Sequence, residues 1–135
     1  MSNLYQQYKE ASLNTMAPGE ILVKLFDEVL IQLKFARIHV ETKDMFKANE
    51  AFSKAETIIN TLNTSLDMKF PISQQLRPMY EFLSQQILQS NIKKDVSMID
   101  EMSSLVRDLR GSFEQAEKLN RQSKRMTVRV GGSVI

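Results

Sequence analysis

Residues 18–40 read Pro18-Gly19-Glu20-Ile21-Leu22-Val23-Lys24-Leu25-Phe26-Asp27-Glu28-Val29-Leu30-Ile31-Gln32-Leu33-Lys34-Phe35-Ala36-Arg37-Ile38-His39-Val40. Leu22, Leu25, Phe26, Val29, Leu33, Ala36 and Val40 recur at steps of three and four, so one face of a helix carries them all. Proline suits the first helical position, and Glu20 in the first turn favours the positive end of the helix dipole. Ala17, just before it, offers no capping oxygen, a local cost of about 1 kcal/mol.

Three more segments repeat this pattern. The second runs from Asp44 to about Leu66, with Ala48, Ala51, Phe52, Ala55, Ile58, Ile59, Leu62 and Leu66 as its stripe. Its first apolar positions are small, which permits close helix packing, and Asp67 to Pro71 ends it. Ser73 reads as the cap of a third helix carrying Leu76, Met79, Tyr80, Leu83 and Ile87 and closing at Ser90-Asn91. Pro78 sits deep in that helix, which either kinks or becomes regular only near Arg77. Asp95 reads as the cap of a fourth, where Ile99, Met102, Val106, Leu109, Phe113 and Ala116 form a bundle seam. Gly111 within it costs about 1 kcal/mol relative to alanine and suggests a close approach of another backbone. After Leu119 the periodicity fades, and the end with Gly131-Gly132 reads as extended or disordered.

Four such helices joined by short connections predict an all-α protein, an antiparallel four-helix bundle. Its organisation reads as an N-terminal leader over 1–17, the bundle over 18–119 and a basic, flexible tail over 120–135. The 135 residues suffice for one domain with a real core. There is no cysteine, hence no disulfide framework or thiolate metal site. No apolar run approaches the roughly 20 residues of a membrane span, and no signal-peptide pattern opens the chain. A cytoplasmic protein without stable membrane insertion is expected.

The net charge of +2 is uneven. Lys118, Arg121, Lys124, Arg125 and Arg129 lie beyond the last acid, Glu117, leaving 13 basic and 16 acidic residues in the body. A basic tail attracts nucleic acid or an acidic partner, but no aromatic residue interleaves these cations to stack on bases. The solvated reading of the tail is preferred, with no nucleic-acid partner.

Catalytic and cofactor patterns are missing. His39 is the single histidine, which excludes sites needing two imidazoles; it reads as a surface residue near a helix end. Asp27-Glu28 and Asp100-Glu101 are sequence neighbours whose side chains diverge on a helix, so both pairs read as solvated faces. Glycine is scarce and no phosphate-cradling loop is present. Met79 and Met102 read as core fillers. No enzyme, no metal and no cofactor are expected.

One feature exceeds what a bundle needs. Ile31, Phe35 and Ile38 lie opposite the core stripe of the first helix at 100° per residue, and Phe82 and Leu88 lie off the main face of the third. Apolar residues on two sides of a helix mean a surrounded helix or a groove for another chain. The leader, with Leu4, Tyr5, Tyr8 and Leu13, can fold back to cover this face. A second copy can cover it in a homodimer, or an amphipathic partner can bind there.

The order of Tyr8, Asn14-Thr15-Met16-Ala17-Pro18-Gly19-Glu20 and Leu25-Phe26-Asp27 resembles the flagellin-specific export chaperones, the FliS family. Lys54-Ala55-Glu56-Thr57-Ile58-Ile59-Asn60-Thr61-Leu62 continues the likeness, as do Leu76 to Tyr80, Ser90-Asn91 and Leu105-Val106-Arg107-Asp108-Leu109-Arg110. Ala17 stands where the family usually has a capping residue, Phe26 where it has tyrosine and Phe113 where tryptophan is frequent. Pro18, Glu20, Leu25, Phe26 and Asp27 are then structural motif residues. The resemblance implies a cytoplasmic chaperone that binds the disordered C-terminal segment of flagellin, prevents premature polymerisation and aids type III flagellar secretion. It also implies export-gate or regulatory proteins as further partners. Ile31, Phe35, Ile38, Phe82 and Leu88 would form the flagellin groove, with Tyr8, Tyr5 and Leu13 capping it in the free protein. The alternative is a structural helical homodimer or adaptor that binds no flagellin.

Overall fold

A computed structural model describes the backbone of residues 18–134 and the side chains of 19–119 and Gln122. The leader residues Tyr5, Tyr8 and Leu13, and Ala17, lie outside the described residues. Within them the chain forms α1 (Pro18–Glu41), α2 (Met45–Thr64), α3 (Pro71–Lys93) and α4 (Ile99–Val134). The connections are short, so consecutive helices run antiparallel.

The stripes meet as their spacing predicts. Leu25, Phe26, Val29, Leu33 and Ala36 of α1 are buried against Phe52, Ala55, Ile59 and Leu62 of α2, Tyr80, Leu83 and Ile87 of α3, and Met102 and Val106 of α4. At full burial each such aliphatic or aromatic side chain contributes about 1.5–3 kcal/mol of transfer free energy. Phe26 is fully buried, and its ring stacks on Phe113 at 5.6 Å between centroids and lies 6.4 Å from Tyr80. Burial pushes the Tyr80 phenol up to about 12. Between α2 and α3, Ser84 Oγ donates to Asn60 Oδ1 at 2.7 Å and Asn91 Nδ2 to Asn49 Oδ1 at 2.9 Å.

Helix ends follow local chemistry. Asp44 caps α2, accepting from the Lys47 backbone N–H at 3.1 Å. The turns after α1 and α3 place Lys43 at φ 63° and Lys94 at φ 52°, left-handed positions usually taken by glycine.

Several expectations need correction. Helix α3 begins at Pro71, not at Ser73, which is buried inside the first turn; Pro71 supplies the fixed φ of a first helical position. Pro78 lies within α3 because the apolar stripe continues across it, and both it and Gln74, whose carbonyl loses its partner, are exposed to water. Asp95 accepts from the Ser97 N–H at 2.9 Å in the turn ahead of α4 instead of capping the helix, and this hydrogen bond holds its carboxyl below the usual range. Among the described residues nothing lies within 4 Å of where a Cβ of Gly111 would stand, so none of their backbone approaches it.

The end of the chain also departs from the extended reading. Helix α4 is 36 residues long, against 24 for α1, or about 54 Å against 36 Å at 1.5 Å per residue. Gly19 of α1 stands beside Glu117 of α4, so residues 118–134 continue the helix about 25 Å past that level. Residues 118–130 contain no proline, and lysine, arginine, glutamine and leucine are good helix formers; fading apolar periodicity removes packing without removing the backbone ladder.

Candidate functional site

Packing in this bundle is unequal. Helix α1 packs along both α2 and α4, and α2 along α3, whereas α3 and α4 barely touch. Helices α1 and α3 therefore occupy opposite corners, and the seam between α3 and α4 stands open. Ile72, Gln75, Leu76 and Met79 on α3 face Leu109, Ser112, Phe113 and Ala116 on α4 across a groove of about 320 Å³. Ile72 is 54% exposed and Met79 40%. Among the described residues no charged side chain lines it.

A second groove, of about 330 Å³, runs between α1 and the first half of α4. Leu30, Ile31 and Ile99 form its apolar floor, and Lys34, Arg37, Asp100, Ser103 and Arg107 complete the lining. Ile31 and Phe35 are each 44% exposed and Ile38 41%, so the α1 stripe opposite the core reaches solvent beside this groove. The two grooves thus lie on opposite flanks of α4 and towards opposite ends of it.

The residues singled out from sequence are divided by this geometry. Ile31, Phe35 and Ile38 share the α1 surface. Phe82 is 44% exposed and Leu88 half-buried on α3, the diagonal helix, so one groove does not unite all five. Leu76, Met79, Leu109 and Phe113 were assigned to core stripes by periodicity, and the structure places them along the open seam. Leu76 and Leu109 are core residues that also floor the seam, whereas Met79 is 40% exposed and Phe113 only partly buried, because α3 and α4 stand apart there.

The motif residues hold the scaffold. Leu25 and Phe26 are core. Asp27 pairs with Arg110 of α4, which also reaches Glu114 at 2.6 Å, and Arg110 draws the Glu114 carboxyl below its ordinary range. Glu20 lies half-buried in the first turn of α1. Glu28 corrects the expectation of a solvated face: it is 7% exposed and accepts from Gln32 Nε2 at 2.7 Å. Asp100 does lie at the surface, where it pairs with Arg37 at 2.5 Å. Glu117 is also buried, its carboxylate against Gly19 in the first turn of α1, where the dipole and free N–H groups favour an anion. Its position four residues after Phe113, on the same stripe, was the available sequence signal. His39 is half-buried in the last turn of α1, its ring 6.5 Å from that of Phe35.

Among the described residues no cluster of three or more acids and histidines could hold a metal ion, and no helix is long and apolar enough to cross a membrane. A helical bundle with two apolar-floored grooves left open on its flanks has the form of a binding protein for extended or helical segments. Residues 1–120 match the family model of flagellar protein FliS, and the chain belongs to that family of flagellar secretion chaperones. It is 32% identical over 124 residues to the flagellar secretion chaperone FliS of Bacillus subtilis, covering 92% of this chain and 93% of the relative. The Salmonella typhimurium chaperone of the same name is 29% identical over 109 residues, 78% of this chain and 81% of that one. A solved bacterial flagellar chaperone superposes with a TM-score of 0.72 at 19% identity, covering 87% of this chain and 97% of its own, and shares the fold.

Proposed function

We propose that this protein is a cytoplasmic export chaperone that binds the disordered C-terminal segment of flagellin, blocks its premature polymerisation and delivers it to the type III flagellar export machinery. One observation carries the reading: apolar side chains stand 40–54% exposed both on α1 (Ile31, Phe35, Ile38) and along α3 (Ile72, Met79, Phe82), on opposite corners of one bundle. Neighbouring helix axes lie about 8–10 Å apart, so diagonal ones lie about 13 Å apart. No single straight helix covers both surfaces, and a client serving both must wrap. A disordered segment can do so, provided the interface is large enough to offset its ordering. Polymerisation through terminal helices is then prevented because those helices are engaged with the bundle.

Leader residues Tyr5, Tyr8 and Leu13 supply an apolar cover for these surfaces in the free protein, to be displaced by the client. Titration calorimetry with the C-terminal segment of the same organism's flagellin tests the reading. Saturable one-to-one binding with a large negative heat-capacity change supports it, weakened both by Phe35→Asp and by Ile72→Asp. A folded protein giving no binding heat at several temperatures refutes it.

A further inference from the structure

The two grooves differ in charge. Among the residues lining the α3–α4 seam none is ionisable. The α1–α4 groove has three cations, Lys34, Arg37 and Arg107, and one carboxylate, Asp100. Asp100 is spent on Arg37, which it meets at 2.5 Å. Among the described residues, Lys34 and Arg107 make no ion pair, and both are exposed at the rim. Beneath them lie Leu30, Ile31 and Ile99.

Resting on the chaperone reading, we infer that the α1–α4 groove selects the acidic amphipathic stretch of the client. Its apolar face packs on Leu30, Ile31 and Ile99 while its carboxylates lie against Lys34, Arg37 and Arg107. The seam takes a stretch without charge. An apolar floor alone accepts a helix in either direction and in several registers, because burial is non-directional. Cations on both walls, Lys34 and Arg37 from α1 and Arg107 from α4, add discrimination: a stretch lacking carboxylates leaves the guanidinium and ammonium groups partly desolvated without partners, which costs affinity. Charge at only one of two grooves thereby fixes which part of the client goes where. In the free protein Asp100 holds Arg37 in place as an internal stand-in for a client carboxylate, and competes with it.

That competition gives variants of opposite sign. With the full chain and the C-terminal segment of the same organism's flagellin as probe, Lys34→Glu and Arg107→Glu are each expected to weaken binding by about 3- to 10-fold at low salt. Asp100→Asn is expected to strengthen it by about 2- to 5-fold. All three effects shrink at about 0.5 M salt, where screening is strong. Lys54→Glu, on α2 and lining neither groove, leaves affinity unchanged. A probe with its Asp and Glu changed to Asn and Gln binds more weakly and no longer distinguishes the groove variants. Wild-type binding with unaltered affinity and salt slope in Lys34→Glu and Arg107→Glu overturns the inference and leaves the chaperone reading standing. No binding by the wild-type chain overturns that reading and the inference with it. Circular dichroism melts of each variant verify folding; both charge reversals are at exposed positions outside the core.

Discussion

Gly19→Ala sets two effects of known size against each other. Alanine is the better helix former by up to about 1 kcal/mol, and by less in the first turn. Against this, a Cβ at position 19 would stand 2.3 Å from Oε2, 3.0 Å from Cβ and 3.1 Å from Cδ of Glu117. The Cβ contact is eased by a shift of a few tenths of an ångström, but Glu117 is only 7% exposed, so its Cδ and carboxylate cannot turn aside without α1 and α4 parting. Overpacking of this kind costs about 1–3 kcal/mol, leaving a net loss of about 1–2 kcal/mol. For a bundle of roughly 100 residues that lowers Tm by about 5–10 °C. Urea unfolding of wild type, Gly19→Ala, Glu117→Ala and the double variant isolates the contact. In the Glu117→Ala background only the 3.0 Å Cβ contact remains, and Gly19→Ala should then cost below about 0.5 kcal/mol. A neutral or stabilising Gly19→Ala, or an equal cost in both backgrounds, would refute the assigned closeness of α1 and α4.

Three other variants test separate parts of the scaffold. Gly111→Ala, on an exposed stretch of α4 with open space at its Cβ position, should raise stability by about 1 kcal/mol in the same assay; a loss would mean that something unseen approaches it. Phe26→Ala removes a fully buried ring between Tyr80 and Phe113 and should cost about 3–5 kcal/mol; a cost under 1 kcal/mol would contradict its place in the core. Arg110→Ala should flatten the acid limb of the stability curve. Arg110 depresses the Glu114 carboxyl, so its stabilisation is present above the ordinary carboxylate range and is lost as pH falls through the depressed value. The difference between wild type and Arg110→Ala should accordingly narrow in acid, and a gap constant with pH would argue against the pair.

Periodicity carried the bundle because burial on a helix repeats every 3.6 residues. Leu25, Phe26, Val29, Leu33 and Ala36 are buried for that reason, as are Ala48 through Leu62 on α2 and Ile99 through Leu109 on α4. What a stripe does not encode is the distance to the helix it faces. Leu76 and Leu109 look alike in sequence whether α3 and α4 touch or stand apart, and so the open seam was not legible. Polar burial was equally hidden. Glu28 reads as a surface acid, yet it is buried and bonded to Gln32 one turn on along α1, and Glu117 is buried against the first turn of α1. The long α4 escaped notice because its later turns are held by the backbone ladder, which leaves no apolar pattern. Ile31, Phe35 and Ile38 could be placed on the outer side of α1 from angle alone. Their separation from Phe82 could not, since it depends on which helices are neighbours.

The isoleucines provide reporters for the claim that one client engages both flanks. Ile31 and Ile38 lie on the outer side of α1, Ile72 on the seam, and Ile92, 67% exposed near the end of α3, lines neither groove. Methyl NMR of the isoleucine-labelled chain, titrated with the flagellin C-terminal segment, should shift Ile31, Ile38 and Ile72 together at one equivalent while Ile92 stays in place. Shifts confined to one flank, or a second set requiring further equivalents of the segment, would contradict a single wrapped client.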